Sequence, residues 1–369
     1  MTYCQYFSPT YIVSRTRFRQ AIAQRCREQV ESTGWTLESH AIDVPAPDGS
    51  ELTIDVGIGG NEQAPRTVVF SSGLHGVEGY LGAAIQLAWL QQQVDLSEVR
   101  VVLIHALNPY GFAYNRRWNE DGVDLNRNFL RSTESFTGSP PDYPALNEFF
   151  NPTSPPPKLD LFLLAVPRWV LQYGTQRIKE TVANGQYDYP QGLFFGGNSS
   201  TQTQKILAEH LPRWIGNASA VTQIDFHTGL GQRATYKLFP PAAVDADFQA
   251  RSIAQFGAEL IEFPEARQFS YAIRGGLGQW CQELLVDLAQ PTLRERRYDF
   301  LTAEFGTYSG LAVLQALRAE QRAHWHGVEG VSYDWTKERL VEIFAPSQTD
   351  WRESCVAQGL NICQQALMC

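Results

Sequence analysis

At 369 residues, with 43% hydrophobic and 19% charged residues, the chain has the balance of an ordinary globular protein and enough apolar material for a large core. A net charge of −9 argues against a nucleic-acid partner, which calls for a clustered basic surface, and no apolar run reaches the length of a membrane span. Six scattered cysteines without a CxxC pair, and no secretion signal in residues 1–11, lead us to expect reduced thiols and a cytoplasmic location.

Residues 14–30 carry Phe18, Ile22, Cys26 and Val30 at steps of four with arginines between them, the pattern of an amphipathic helix. Residues 52–57 read as a strand, closed by the turn Gly59-Gly60-Asn61. The apolar run at residues 67–70 predicts a buried strand that stops at Ser71-Ser72-Gly73. His75 and Glu78 follow three residues apart, and residues 80–93 return to a helical pattern. Residues 99–104 predict another buried strand, ending in His105-Ala106-Leu107-Asn108-Pro109-Tyr110-Gly111. Strand and helix alternating at this spacing imply crossover connections and a sheet with a parallel core.

Residues 131–200 differ in character, with the turn-rich Thr137-Gly138-Ser139-Pro140-Pro141, the run Pro155-Pro156-Pro157 and Gly196-Gly197-Asn198 around one helical pattern at 159–179. We read them as an insertion on a single domain. Beyond it come a buried strand at 221–226 followed at once by His227-Thr228-Gly229, a strand at 234–239 and a helix at 245–262. A strand at 300–305 contains Glu304, and helices at 310–323, 337–344 and 350–366 form a C-terminal extension over about 310–369. The expected fold is a single α/β domain with a mixed, largely parallel, twisted sheet and helices on both faces.

The chemistry collects at the strand ends, where open α/β sheets place their ligands. His75 with Glu78, His227 and Glu304 each lie at one such end. A catalytic zinc needs three protein ligands and one open position, which two histidines and one glutamate satisfy. The second glutamate then stays free to accept and pass on a proton. The same four letters recur at His326-Gly327-Val328-Glu329, but no strand leads into that copy, and we read it as a coincidence at a helix end. Residues 115–129 set Arg116, Arg117 and Arg127 among turn formers, with Val123, Leu125 and Phe129 embedded. Such a segment suits the forked hydrogen bonding of a carboxylate or an oxyanion.

Together these motifs resemble the zinc metallocarboxypeptidases, or funnelins, with a relation to the aspartoacylase and succinylglutamate desuccinylase group. His75-Gly76-Val77-Glu78 is similar to their HxxE zinc pair, and Asn108-Pro109-Tyr110-Gly111-Phe112 to their Asn-Pro-Asp-Gly-Phe step. Gly122-Val123-Asp124-Leu125-Asn126-Arg127-Asn128-Phe129 is nearly their signature, and Asp225-Phe226-His227-Thr228-Gly229 resembles the desuccinylase branch. The resemblance implies one Zn²⁺ per chain on His75, Glu78 and His227, with Asp124 holding a ligand histidine from behind. It implies Glu304 as general base, Arg117 as oxyanion partner, and Asn126, Arg127 and Tyr271 as substrate-binding residues. Downstream of Gly275-Gly276, no acid stands ready to select a basic side chain, and the nearby Arg274 would favour an acidic one. The expected activity is hydrolysis of an amide beside a free carboxylate, in a small peptide or an acyl-amino acid. The same centre would serve an N-acyl amino acid deacylase or a peptidoglycan amidase. A non-catalytic zinc-binding module is the third reading, disfavoured because neither a ligand nor Glu304 is lost.

Overall fold

The computed structural model describes residues 2–28, 34–241, 244–263, 273–287, 289 and 295–368, the side chains of 182 and 183 excepted. Seven strands form one sheet: β1 (Thr36–Pro45), β2 (Glu51–Gly60), β3 (Arg66–Ser72), β4 (Arg100–His105), β5 (Ala220–Arg233), β6 (Tyr236–Phe239) and β7 (Arg297–Gly306). Their spatial order is β1-β2-β4-β3-β5-β7-β6. The four central strands run parallel, and β1, β2 and β6 join antiparallel at the two sides. The apolar, β-branched runs occupy this centre because strands covered on both faces have no polar side to show.

The helices are α1 (Tyr11–Arg27), α2 (Gly79–Leu90), α3 (Pro109–Ala113), α4 (Tyr143–Phe150), α5 (Phe162–Tyr173) and α6 (Thr175–Ala183), then α7 (Gln202–Ile215), α8 (Ala246–Phe256), α9 (Leu277–Gln282), α10 (Gly310–His326), α11 (Asp334–Phe344) and α12 (Thr349–Leu367). The pleat sends Val68, Phe70, Ile224 and Phe226 to one face, under α1, α2, α8 and α12. Val69, Val102, Ile104, Val221 and Phe300 face the other way, against α7 and α9. Each such fully buried side chain stabilises the fold by about 1.5–3 kcal/mol. The result is one α/β unit in which helices cover both faces of a mixed sheet.

Several elements depart from the sequence reading. The edge strand β1 and the helices α4, α7 and α9 are additions to it. The helical pattern at 159–179 is two helices broken at Gly174, whose φ of +77° suits a residue without a Cβ. The first helix begins at Tyr11, and the stretch 29–33 that includes Val30 lies outside the described residues. The described cysteines are free thiols. Among the described residues no helix is long and apolar enough to cross a membrane.

Connectivity decides where the site falls. From β3 the chain crosses to β4 on one side, then returns to β5 on the opposite side of β3. Open α/β sheets form their ligand crevice at this reversal, outside the carboxyl ends of the strands. His75 follows β3 and His227 lies within β5, so both stand at that crevice.

Candidate metal centre and active site

After Ser72 the backbone turns through Gly73 at φ +68°, where a Cβ would also press within 2.8 Å of Ala106 Cβ. Gly76 packs so closely on α3 that a Cβ there would lie 2.1 Å from the backbone carbon of Gly111. Asn108 fixes the partner surface: its side chain accepts from the Gly111 N–H at 2.7 Å and donates to the Arg117 carbonyl at 3.2 Å. The Arg116 and Arg117 carbonyls in turn accept from the N–H groups of Val77 and Gly76. The loop bearing His75 and Glu78 is therefore held by backbone bonds to the Arg116–Arg117 segment.

His75, Glu78 and His227 are all buried, and one ligand atom from each lies within 4.8 Å of the others. Both imidazoles present Nδ1 to the same carboxylate. His75 Nδ1 is 2.8 Å from Glu78 Oε1, and His227 Nδ1 is 3.1 Å from Oε2, with the two rings near-perpendicular at 77°. Each Nε2 meets a buried aspartate: Asp124 Oδ1 at 3.2 Å for His75, and Asp225 Oδ2 at 2.6 Å for His227. A carboxylate behind each histidine orients the ring and leaves the opposite nitrogen for a metal. Two imidazole nitrogens and one carboxylate, converging in a buried crevice, fit a divalent cation.

Arg117 borders this group. Its Nε donates to Asp124 Oδ2 at 3.0 Å, one terminal nitrogen donates to Glu78 Oε1 at 3.1 Å, and the other lies 2.7 Å from His75 Nε2. Two of its five N–H donors are thus engaged by carboxylates, while the third contact is a close approach to the Nε2 that faces Asp124. Burial would raise the Glu78 carboxyl, but His75 and His227 outweigh it and hold the group well below the usual carboxylate range. Burial would lower the His227 imidazole, but Asp225 and Glu78 hold it well above its ordinary value.

Glu304 is the register partner of His227 across β5 and β7, so both side chains project from the same face of the sheet. Its Oε1 accepts the Leu230 N–H at 2.9 Å. Burial first, then the negative charge of Glu78, raises its carboxyl to about 7. It lies outside the group of three that converges on one point.

Asp124 caps the short turn Leu125–Arg127, accepting the Asn126 N–H at 3.1 Å, while Asn126 Oδ1 accepts from the Leu277 N–H at 3.2 Å. The Arg127 guanidinium is buried, donates to the Asn126 carbonyl at 2.8 Å and keeps Nε without a partner. The guanidiniums of Arg117 and Arg127 both lie over the ring of Phe194, at 5.5 and 5.9 Å. Phe194 belongs to the segment read as an insertion and adopts φ +60°, a rare conformation for a bulky side chain. Nothing in the sequence pattern marks it. Arg274 donates to the carbonyls of Ser135 and Thr137 and covers the Tyr187 ring at 4.5 Å, so it ties that same segment down. Tyr271 lies outside the described residues.

The second His-Gly-Val-Glu copy is elsewhere. His326 ends α10, and Gly327–Glu329 are exposed. Among the described residues, the group of His75, Glu78 and His227 is the one that could hold a metal ion.

Residues 7–358 match the family described as protein of unknown function, DUF2817. No curated protein matches the chain. Among solved structures, the chain is similar to carboxypeptidase A from Helicoverpa armigera, at 11% identity and a TM-score of 0.43, over 92% of this chain and 73% of that one. It is similar to the murein-tripeptide amidase MpaA from Escherichia coli O157, at 17% identity and a TM-score of 0.39, over 79% and 93%. It is also similar to a succinylglutamate desuccinylase/aspartoacylase from Rhodobacter sphaeroides, at 16% identity and a TM-score of 0.38, over 82% and 68%.

Proposed function

We propose that this chain, which belongs to the DUF2817 family, is a zinc-dependent hydrolase of carboxypeptidase type that cleaves an amide beside a free carboxylate. One observation carries the reading. Three buried ligand atoms converge within 4.8 Å, while a second carboxylate, Glu304, stands on the next strand outside that set.

Zinc held by His75, Glu78 and His227 would supply a Lewis acid for the scissile carbonyl and lower the pKa of the attacking water. Glu304 takes the proton from that water at its carboxylate and delivers it to the leaving nitrogen. Asp124 keeps the His75 ring turned with Nδ1 toward Glu78. Arg117 carries positive charge at the edge of the ligand set, and the N–H donors it does not commit to Asp124 and Glu78 serve the growing oxyanion. Arg127, with Asn126 beside it, receives the substrate carboxylate on a buried guanidinium. Tyr271 is proposed to close over that group.

Metal analysis joined to a substrate panel tests the reading. The expected result is close to one zinc per chain, lost in His75→Ala and in His227→Ala and kept in His326→Ala. Peptides and N-acyl amino acids with a free carboxylate should be cleaved, and their amidated forms poorly. Loss of zinc in His326→Ala with retention in His75→Ala would move the site to the other copy of the motif. Equal cleavage of free and amidated substrates would leave a broader amidase.

A further inference from the structure

Behind His227 lies a line of buried polar side chains that crosses three strands. Gln223, Asp225 and His227 alternate along β5 and therefore share one face of the sheet. Ser71 on β3 is the register partner of Asp225, and Tyr298 on β7 is the partner of Val221, two residues before Gln223. All five side chains are buried, and Tyr298 packs within the apolar cluster of Leu277, Trp280 and Phe300.

The bonds run in one direction. The Tyr298 hydroxyl donates to Gln223 Oε1 at 2.8 Å, which turns the amide nitrogen toward Ser71 Oγ, at 3.2 Å. Ser71, having accepted that bond, donates its own proton to Asp225 Oδ1 at 2.7 Å. The remaining Asp225 oxygen, Oδ2, meets His227 Nε2 at 2.6 Å. Reversing any link would set two acceptors or two donors face to face, where each unmade buried bond costs about 1–3 kcal/mol. The imidazole is thus held with an Nε2 proton on Asp225 and with Nδ1 turned toward Glu78, to which it donates at 3.1 Å and where a bound cation would take the place of that proton.

His75 is backed differently. Its aspartate, Asp124, is held by the cationic Arg117 and by the Asn126 N–H. The ligand pair is therefore oriented by a charged anchor on one side and by a neutral relay on the other.

We propose that Tyr298, Gln223 and Ser71, acting through Asp225, are positioning residues that fix the tautomer and ring angle of His227 as a metal ligand. The inference rests on the zinc reading of the site and concerns residues to which that reading gives no role. A phenol four hydrogen bonds removed from the ligand histidine thereby bears on how firmly the metal is held.

The test uses the full chain, with zinc affinity measured by competition against a chromophoric chelator and the imidazole nitrogens observed by NMR in the zinc-loaded protein. Asp225→Asn should weaken zinc binding by about 10–100-fold, the usual effect of losing a carboxylate behind a ligand histidine. Ser71→Ala and Tyr298→Phe should weaken it in the same direction by smaller factors. Both should shift the nitrogen signals of His227 and leave those of His75 in place, a signature that general loosening of the fold would not give. Should Asp225→Asn fail to fold, Tyr298→Phe still decides, since it removes one hydroxyl at a distance from the metal. Unchanged affinity and unchanged His227 signals in Ser71→Ala and Tyr298→Phe would overturn the relay even if Asp225→Asn loses zinc. Failure of the parent protein to bind zinc is a separate result and would overturn the metal reading along with it.

Discussion

Two buried glutamates close enough to feel each other's charge behave oppositely because their neighbours differ. Glu78 lies between two imidazoles that hold its carboxylate charged, whereas burial and the charge of Glu78 itself raise Glu304 to about 7. Environments that push two carboxyl groups apart in this way separate a ligand from a proton carrier. In Glu304→Gln, zinc content should therefore stay at the parent level while kcat falls by about 10²–10⁴-fold. Metal analysis beside turnover checks this, and zinc loss in that variant would make Glu304 a ligand. Arg127 is the second test at this scale. A charge-assisted bond to a buried guanidinium contributes about 2–3 kcal/mol. Arg127→Ala should therefore remove the preference for free over amidated substrates in kcat/KM with zinc content unchanged. A preference that survives the substitution would place carboxylate recognition on another residue.

Among the elements, the tie between β1 and α7 sets a pH dependence that does not involve the site. Glu38 on β1 forms a fork with Arg213 of α7, at 2.5 and 2.6 Å, and accepts from Trp214 Nε1 at 3.0 Å. The Arg213 bond lowers the Glu38 carboxyl from its ordinary 4.5 to about 2, with burial opposing it. A folded-state value below the ordinary one means the tie contributes fully above about pH 4.5 and is lost as pH falls toward 2. Glu38→Gln should consequently lower Tm near neutral pH, with the gap to the parent closing as pH approaches 2. Thermal melts across that range measure it, and a gap constant with pH would mean the fork contributes nothing specific. The same strand shows why parts of the fold escape sequence reading. Buried strands such as 67–70 and 99–104 announce themselves by unbroken apolar runs. β1 is an edge strand exposed along most of its length, so Thr36–Pro45 reads as polar chain. Helix α7 carries Pro212 in its last turn, which breaks the expected pattern, and Gly174 divides what looks like one long helix. The residues at strand ends were legible because each ends an apolar run. The relay behind His227 was not, since Ser71, Gln223, Asp225 and Tyr298 meet only through the register of three strands.

For the molecule as a whole, a metal bound by the folded state alone adds to its stability. At a free concentration 100 times the Kd, that contribution is about 2.7 kcal/mol. Tm should rise on adding zinc, fall on chelation, and become indifferent to both in His227→Ala. A melting temperature unmoved by zinc in the parent chain would contradict a site built from the folded state. Fold class was readable at this scale from the order of strands and helices. The reversal of strand order about β3 was not, because a sequence does not say on which side of a strand the next one pairs.

The chain leaves β4 at His105 and must return across β3 before it can enter β5 at Ala220. Everything between is a closure whose two ends are pinned by the sheet, and its entropic cost rises only by about 0.6 kcal/mol for each doubling of length. Chain closure thus sets little limit on the length of the stretch holding α4, α5 and α6, which is anchored instead by Tyr143, Leu146 and Phe150 packing with Leu317 and Phe344. Glu78 and His227 would keep their separation throughout, because the pairing of β3 with β5 sets it. Phe194 lies within this same stretch and reaches both arginines of the crevice. Under the proposed function, a stretch whose length the sheet pairing does not fix thus reaches the arginines assigned to the substrate, which would let recognition diverge while the ligand set stays in place.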